Sequence, residues 1–143
     1  MIREYTPKDN GALVRIWKDA NAVAHPFLPA AFVAAEEANV RDIYPQFAQI
    51  QAIEPNGVMQ GFIAMLGDEI GGLFVDPAHH GQGLGRAMVD HVVAQKGPLQ
   101  VQVFEQNAIG RRFYERYGFT FQARSIHDAT GQVVLRLTMP KSL

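Results

Sequence analysis

The hydrophobic positions of this chain recur with two periods, one near 3.6 residues and one near 2, and the switches between them lay out the elements. Residues 2–6 read as a short strand closed by Pro7. Leu13, Ile16, Trp17 and Ala20 then recur at helical spacing, predicting a helix to about residue 23 with Thr6 or Asp9 as its cap. Pro26 and Pro29 stop that helix, because proline lacks an N–H and its ring clashes with the preceding turn. A second helix is expected over 30–44, on a stripe of Phe32, Ala35 or Glu36, Val40, Ile43 and Tyr44, ended or kinked by Pro45.

The period then changes to 2. Strands are expected over 47–53 and 58–66, joined by a hairpin turn at Glu54-Pro55-Asn56-Gly57, and over 69–75 after Gly67-Asp68. A helix over 83–95 buries Leu84, Ala87, Met88 and Val92 and stops at Gly97-Pro98. Residues 99–104 read as a strand and 107–117 as a short helix ending at Gly118, a suitable C′ glycine. Strands over 119–126 and 132–139, joined around Asp128 to Gly131, finish the chain. The order β-α-α-β-β-β-α-β-α-β-β predicts an α/β fold with one mixed sheet and helices on both faces. The three successive strands should be antiparallel, and the strands flanking the 83–95 helix should be parallel through a right-handed crossover. Ligands in such sheets sit at the carboxyl ends of parallel strands. No repeat, linker or low-complexity tract interrupts the pattern, so a single domain over 1–143 is expected.

One corner carries the chemistry. The apolar run ending at Val75 meets Asp76-Pro77, then Gly81, Gly83 and Gly85, then a helix. Glycine there admits backbone dihedrals closed to other residues and lets a ligand approach the amides. The adjoining helix start adds unpaired N–H groups and a partial positive charge. The turn therefore reads as a main-chain cradle for a pyrophosphate. It is neither a dinucleotide fingerprint, since Arg86 stands where the third glycine belongs, nor a P-loop, since no Gly-Lys-Ser/Thr follows. On these residues alone, a tight βα connection that binds nothing is the alternative.

Composition narrows the partners. With 143 residues, 48% hydrophobic and 19% charged, the chain can bury a core, and a net charge of −1 argues against nucleic acid as a partner. The absence of cysteine rules out thiolate catalysis and disulfides and fits a cytoplasmic location. No apolar run approaches membrane-spanning length, and the first residues form no targeting segment, so no membrane association is expected. His25, His79, His80, His91 and His127 form no His-x-x-x-His pair, and no Gly-x-Ser-x-Gly is present, so no metal and no serine nucleophile is expected.

Leu73 to Pro77 with His80 to Gly85, followed by Asn107, Phe113, Tyr114, Glu115, Gly118 and Phe119, resemble the GNAT superfamily of acetyl-CoA-dependent N-acetyltransferases. Trp17 through His25-Pro26-Phe27-Leu28 is similar to its small bacterial members. One departure stands out: His80 occupies a position usually held by Arg or Gln, which should change affinity only modestly. The resemblance implies a GNAT-like, mostly antiparallel sheet with a central parallel pair, and acetyl-CoA as acyl donor. It implies that the amides of Gly81, Gln82, Gly83, Leu84, Gly85 and Arg86 hold the pyrophosphate. Main-chain groups of Leu73, Phe74 and Val75 would pair with the pantetheine arm as an added strand. The Leu73 N–H would donate to the thioester oxygen, Asn107 would bond the cofactor arm, and Tyr114 would protonate the departing thiolate. A phenol of ordinary pKa near 10 is protonated at neutral pH and suits that task.

By spacing alone a tyrosine placed like Tyr114 is more often core than catalytic, and Asn107 is also a natural helix cap, a role that can coexist with cofactor binding. For the acceptor amine, Glu69 is the candidate base, at the head of the strand leading to the cradle, with Gly71-Gly72 leaving room beside it. His25 is the competing base and, with Phe27, a candidate acceptor-site residue; ordered water is the third possibility. Transfer is expected to be direct, by amine attack inside a ternary complex. The acceptor stays open between a protein lysine or N-terminal amine and a small-molecule amine. The apolar 23–33 segment disfavours polycations, although Glu36 and Glu37 add charge nearby. A non-catalytic acyl-CoA sensor is the alternative from another class. Residues 132–139 are apolar enough to pair across a homodimer, and a monomer is equally compatible.

Overall fold

A computed structural model describes residues 1–140. The strands are β1 (Ile2–Glu4), β2 (Gln49–Ile53), β3 (Gly61–Leu66), β4 (Glu69–Val75), β5 (Gln100–Phe104), β6 (Thr120–Ile126) and β7 (Val133–Thr138). The helices are α1 (Asn10–Ala24), α2 (Ala30–Asp42), α3 (Leu84–Lys96) and α4 (Ala108–Tyr117). The element order is that predicted, with the proline and glycine boundaries falling within a few residues of expectation.

One seven-stranded sheet runs in the order β1-β2-β3-β4-β5-β7-β6. Every neighbouring pair is antiparallel except β4 and β5, at the centre. The period of 2 sorts alternate residues of β3 to opposite faces. Ile63 and Met65 pack with Met88, Val89 and Val92 of α3 and Tyr114 of α4. Phe62 and Ala64 pack with Leu13, Ile16 and Trp17 of α1 and Val40 of α2. The sheet is thus covered on both faces, by α3 and α4 on one and by α1 and α2 on the other. No helix among the described residues is long and apolar enough to cross a membrane.

Two sequence expectations are corrected. The last strand, β7, has no free edge: it lies between β5 and β6, so it cannot pair across a dimer as the 132–139 reading supposed. The edge at that end of the sheet belongs to β6, whose residues are all exposed. The second helix stops at Asp42, and Tyr44–Gln46 forms a separate 3-10 turn around Pro45. Its expected buried stripe is buried only at Val40, while Ile43 and Tyr44 are 43% and 40% exposed. The inner face of α2 looks onto a cavity instead of the core.

Candidate active site

β4 and β5 are paired only at their first residues, Glu69 with Gln100 and Ile70 with Val101, and then separate. The cause is visible in the β3–β4 register. Ala64 faces Gly72 but Met65 faces Ile70, so Gly71 is an extra residue, a β-bulge. A bulge bends its strand and reverses which edge the following amides address. Before it, the Asp68 carbonyl accepts from Gln100 N on the β5 side. Beyond it, Asp76 N donates to Gln60 O on the β3 side, so alternation turns the main-chain groups of Leu73 and Val75 toward the gap. A strand-like ligand can therefore add to β4 there. The Val75 carbonyl already has a partner, the His80 ring Nε2 at 3.0 Å. A carbonyl only accepts, so Nε2 carries the proton.

The gap opens into a cavity of about 730 Å³ that reaches from the glycine turn to α2. At the turn, Gly81 (φ 78°) and Gly83 (φ 80°) hold left-handed backbone, and no atom lies within 4 Å of where a Cβ would stand at either. Gly83 caps α3, so the first amides of that helix face the same open space. Gly85 serves differently. It lies inside α3, and a Cβ there would stand 3.2 Å from Phe113 Cε1, so its smallness brings α3 against α4. Arg86, Arg112 and Arg116 add positive charge to the cavity wall. Left-handed glycines, a helix start and three guanidiniums fit a polyanion such as the phosphates of coenzyme A.

Tyr114 lines this cavity with its ring 7% exposed, held edge-on by Phe113 and Phe119 with centroids 5.2 Å from each. Burial raises its phenol pKa above the ordinary value, so it is protonated at neutral pH. Asn107 is 8% exposed, and most of its bonding capacity is spent. Oδ1 accepts from Gly110 N at 2.8 Å and caps α4, while Nδ2 donates to His25 Nε2 at 3.1 Å. Its N–H donates to Phe104 O, and its carbonyl accepts from Arg111 N. One amide hydrogen is left for a ligand.

His25 is held by side-chain partners on both ring nitrogens. Its Nδ1 lies 2.7 Å from Asn21 Oδ1, and its ring stands edge-on to Phe104 at 5.1 Å. Because Asn107 Nδ2 can only donate and Asn21 Oδ1 only accept, the ring is neutral with the proton on Nδ1. Burial lowers its pKa to about 4. Both ring nitrogens are engaged, which leaves no lone pair to take a proton from an amine. Phe27 packs edge-on to His25 and Phe104 at 5.8 and 5.7 Å and anchors the loop. The cavity is lined instead by Leu28 and Phe32.

Glu69 is not brought to this place. Its carboxylate is 3.1 Å from Arg136 Nη1, at the paired end of β4, away from the gap and outside the cavity lining. Sequence reasoning missed Asn21, Arg112, Arg116, Phe104 and His127. The Arg112/Arg116 pair, one turn apart on α4, was legible as a charged face; the others meet only in three dimensions.

The profile of the GNAT acetyltransferase domain matches residues 30–121. The chain belongs to the GNAT family. It is therefore an acetyl-CoA-dependent acyltransferase. The peptidyl-lysine N-acetyltransferase YjaB of Salmonella typhimurium is 31% identical over 131 residues, 92% of this chain and 90% of its own. The solution structure of apo YjaB from Escherichia coli superposes with a TM-score of 0.89 at 29% identity, covering 99% of this chain and 98% of that one. The PaiA N-acetyltransferase of Thermoplasma acidophilum, solved in complex with coenzyme A, shares this fold at a TM-score of 0.76 and 14% identity, over 95% of this chain and 96% of its own. The GNAT sheet with its central parallel pair, expected from the sequence, is thereby the observed architecture.

Proposed function

We propose that this chain, as a single N-acetyltransferase domain, transfers the acetyl group of acetyl-CoA to the side-chain amine of a protein lysine. The observation that carries the reading is the bulge-opened gap beside β4, continuous with the glycine turn at one end and an aromatic-walled cavity at the other. The lysine acceptor is supported by the peptidyl-lysine activity named for YjaB and for YiaC of Escherichia coli, the latter 29% identical over 120 residues.

In this reading the amides of Gly81 to Arg86 hold the pyrophosphate, with Arg86, Arg112 and Arg116 adding charge. Leu73, Phe74 and Val75 align the pantetheine arm, for which His80 must yield the Val75 carbonyl. The Leu73 N–H donates to the thioester oxygen as negative charge gathers there. The amine nitrogen forms a bond to the carbonyl carbon, the C–S bond breaks, Tyr114 passes its proton to the sulfur, and the proton shed by the new amide nitrogen restores the phenol through solvent. The ammonium proton leaves to solvent, since His25 is occupied and Glu69 is ion-paired elsewhere. Asn107 and His25 fix the cavity wall, and holding both reactants in one cavity supplies much of the acceleration.

The test is calorimetric titration with coenzyme A, followed by incubation with acetyl-CoA and lysine peptides and mass analysis of the products. Binding with a gain of one acetyl group on lysine supports the reading. No heat on titration overturns it, and binding without transfer to any amine favours an acyl-CoA sensor.

A further inference from the structure

The cavity wall is divided by charge. Its cations, Arg86, Arg112 and Arg116, belong to the helices on one face of the sheet. Its single carboxylate among the described residues, Glu36, belongs to α2 on the other face. Among the described residues no Lys, Arg or His lies within ion-pair distance of Glu36, although its neighbour Glu37 is paired with Lys18. Glu36 is half-buried and held in place. Tyr44 Oη donates to both its oxygens, at 2.8 and 3.0 Å, and Asn39 Nδ2 donates to Oε1 at 3.1 Å. A carboxylate offers about four acceptor positions. The one Tyr44 proton is shared between the two oxygens and Asn39 adds a donor only at Oε1, so Oε2 keeps room for another. One turn earlier on the same face of α2, Phe32 stands edge-on to His127 at 5.5 Å, and His127 to Phe104 at 5.3 Å. Phe104 ends β5, where the gap opens.

We propose that Glu36 receives the ammonium of the incoming acceptor, so that this end of the cavity selects a single cation on an apolar stem. The inference rests on the acyl-transfer reading and deepens it. The walls of Phe32, Phe104 and His127 cover methylenes, and one carboxylate answers one positive charge, which suits a lysine side chain and not a polyamine. Glu36 acts on entry, before the amine loses its proton, so its effect falls on acceptor binding and not on the donor.

Trp17, the only tryptophan of the chain, lines the same cavity and reports on it by fluorescence. The protein saturated with coenzyme A is titrated with n-pentylammonium and, separately, with 1-pentanol, a neutral chain of the same length. The wild type should prefer the ammonium by on the order of tenfold, the scale of one hydrogen bond to a charged group. Glu36→Gln should hold the two alike, with affinity for coenzyme A unchanged by calorimetry. A preference that survives in Glu36→Gln overturns the proposal, as does a wild type in which neither compound, or both equally, changes Trp17 emission. A wild type that gives no heat with coenzyme A instead marks failure of the acyl-transfer reading.

Discussion

Asn107 Nδ2 and His25 Nε2, 82 positions apart in sequence, meet at 3.1 Å and tie the end of α1 to the start of α4. The same Asn107 side chain caps α4 through Gly110 N, and His25 continues the chain of bonds to Asn21. Gly110 leaves room for this, since a Cβ there would overlap the Asn107 amide. Two side chains acting as one latch should not be independent energetically. A double-mutant cycle on His25→Ala and Asn107→Ala, read from urea unfolding, should show a coupling of about 1 kcal/mol, within the range usual for contacting polar pairs. Asn107→Ala alone should cost about 1 kcal/mol through the lost cap. Additive losses would remove the latch.

The same ring makes stability depend on pH. Burial lowers the folded pKa of His25 to about 4 from an ordinary 6.5. Between those values the unfolded chain binds the proton and the native ring does not, so stability is complete above about pH 6.5 and falls as the pH drops toward 4. Asp9, lowered to about 2 chiefly by its hydrogen bond from Arg3, acts at more acidic pH and leaves that window to His25. Urea midpoints at pH 7.5, 5.5 and 4.5 should fall in the wild type and fall less in His25→Gln. Equal slopes in both would assign the dependence to another group.

Much of this architecture was readable because glycine and proline punctuate the chain. Pro26, Pro29 and Pro45 bound the second helix, and Gly97-Pro98 and Gly118 end the third and fourth, each for a local backbone reason. The glycine turn before α3 was readable for the same reason, at Gly81 and Gly83. What local pattern does not encode is pairing and partner. A hairpin of two apolar strands reads the same whichever strand lies beside β5, so the place of β7 was missed. The bulge at Gly71 is a property of two strands together. Helical period marks Phe32, Glu36 and Tyr44 as one face but does not distinguish a face against core from one against a cavity. His25 was readable as a residue of interest; its neutrality follows only from Asn21 and Asn107.

The two kinds of glycine at the cradle should separate by experiment. Gly83 has a left-handed φ of 80° and open space around it, so Gly83→Val strains the turn that presents the amides. Coenzyme A affinity should fall at least about tenfold, since one or two lost amide contacts to a charged group account for that much. Gly85 is helical and limited only by Phe113, whose Cε1 lies 3.2 Å from where an alanine methyl would stand, so Gly85→Ala should lower thermal stability. Adding Phe113→Leu should recover part of that loss but should not rescue Gly83→Val. Equal rescue of both would mean that Phe113 and not backbone conformation governs the turn.

Tyr114 tests whether the buried phenol is chemistry or packing. Its ring fills core space between Phe113 and Phe119, and phenylalanine would fill it equally well. Tyr114→Phe therefore keeps the fold and the cavity wall and deletes only the hydroxyl. If that hydroxyl supplies the proton for the thiolate, kcat should fall by about a hundredfold, a typical contribution of a positioned acid, while acetyl-CoA binding by calorimetry stays within about twofold. Burial raises the phenol pKa, so the wild-type group stays protonated through the neutral range and its loss should not create a new ionisation in the pH–rate profile below about pH 9. Parallel losses of rate and affinity would make Tyr114 a structural wall of the donor site, and the proton would then have to come from solvent.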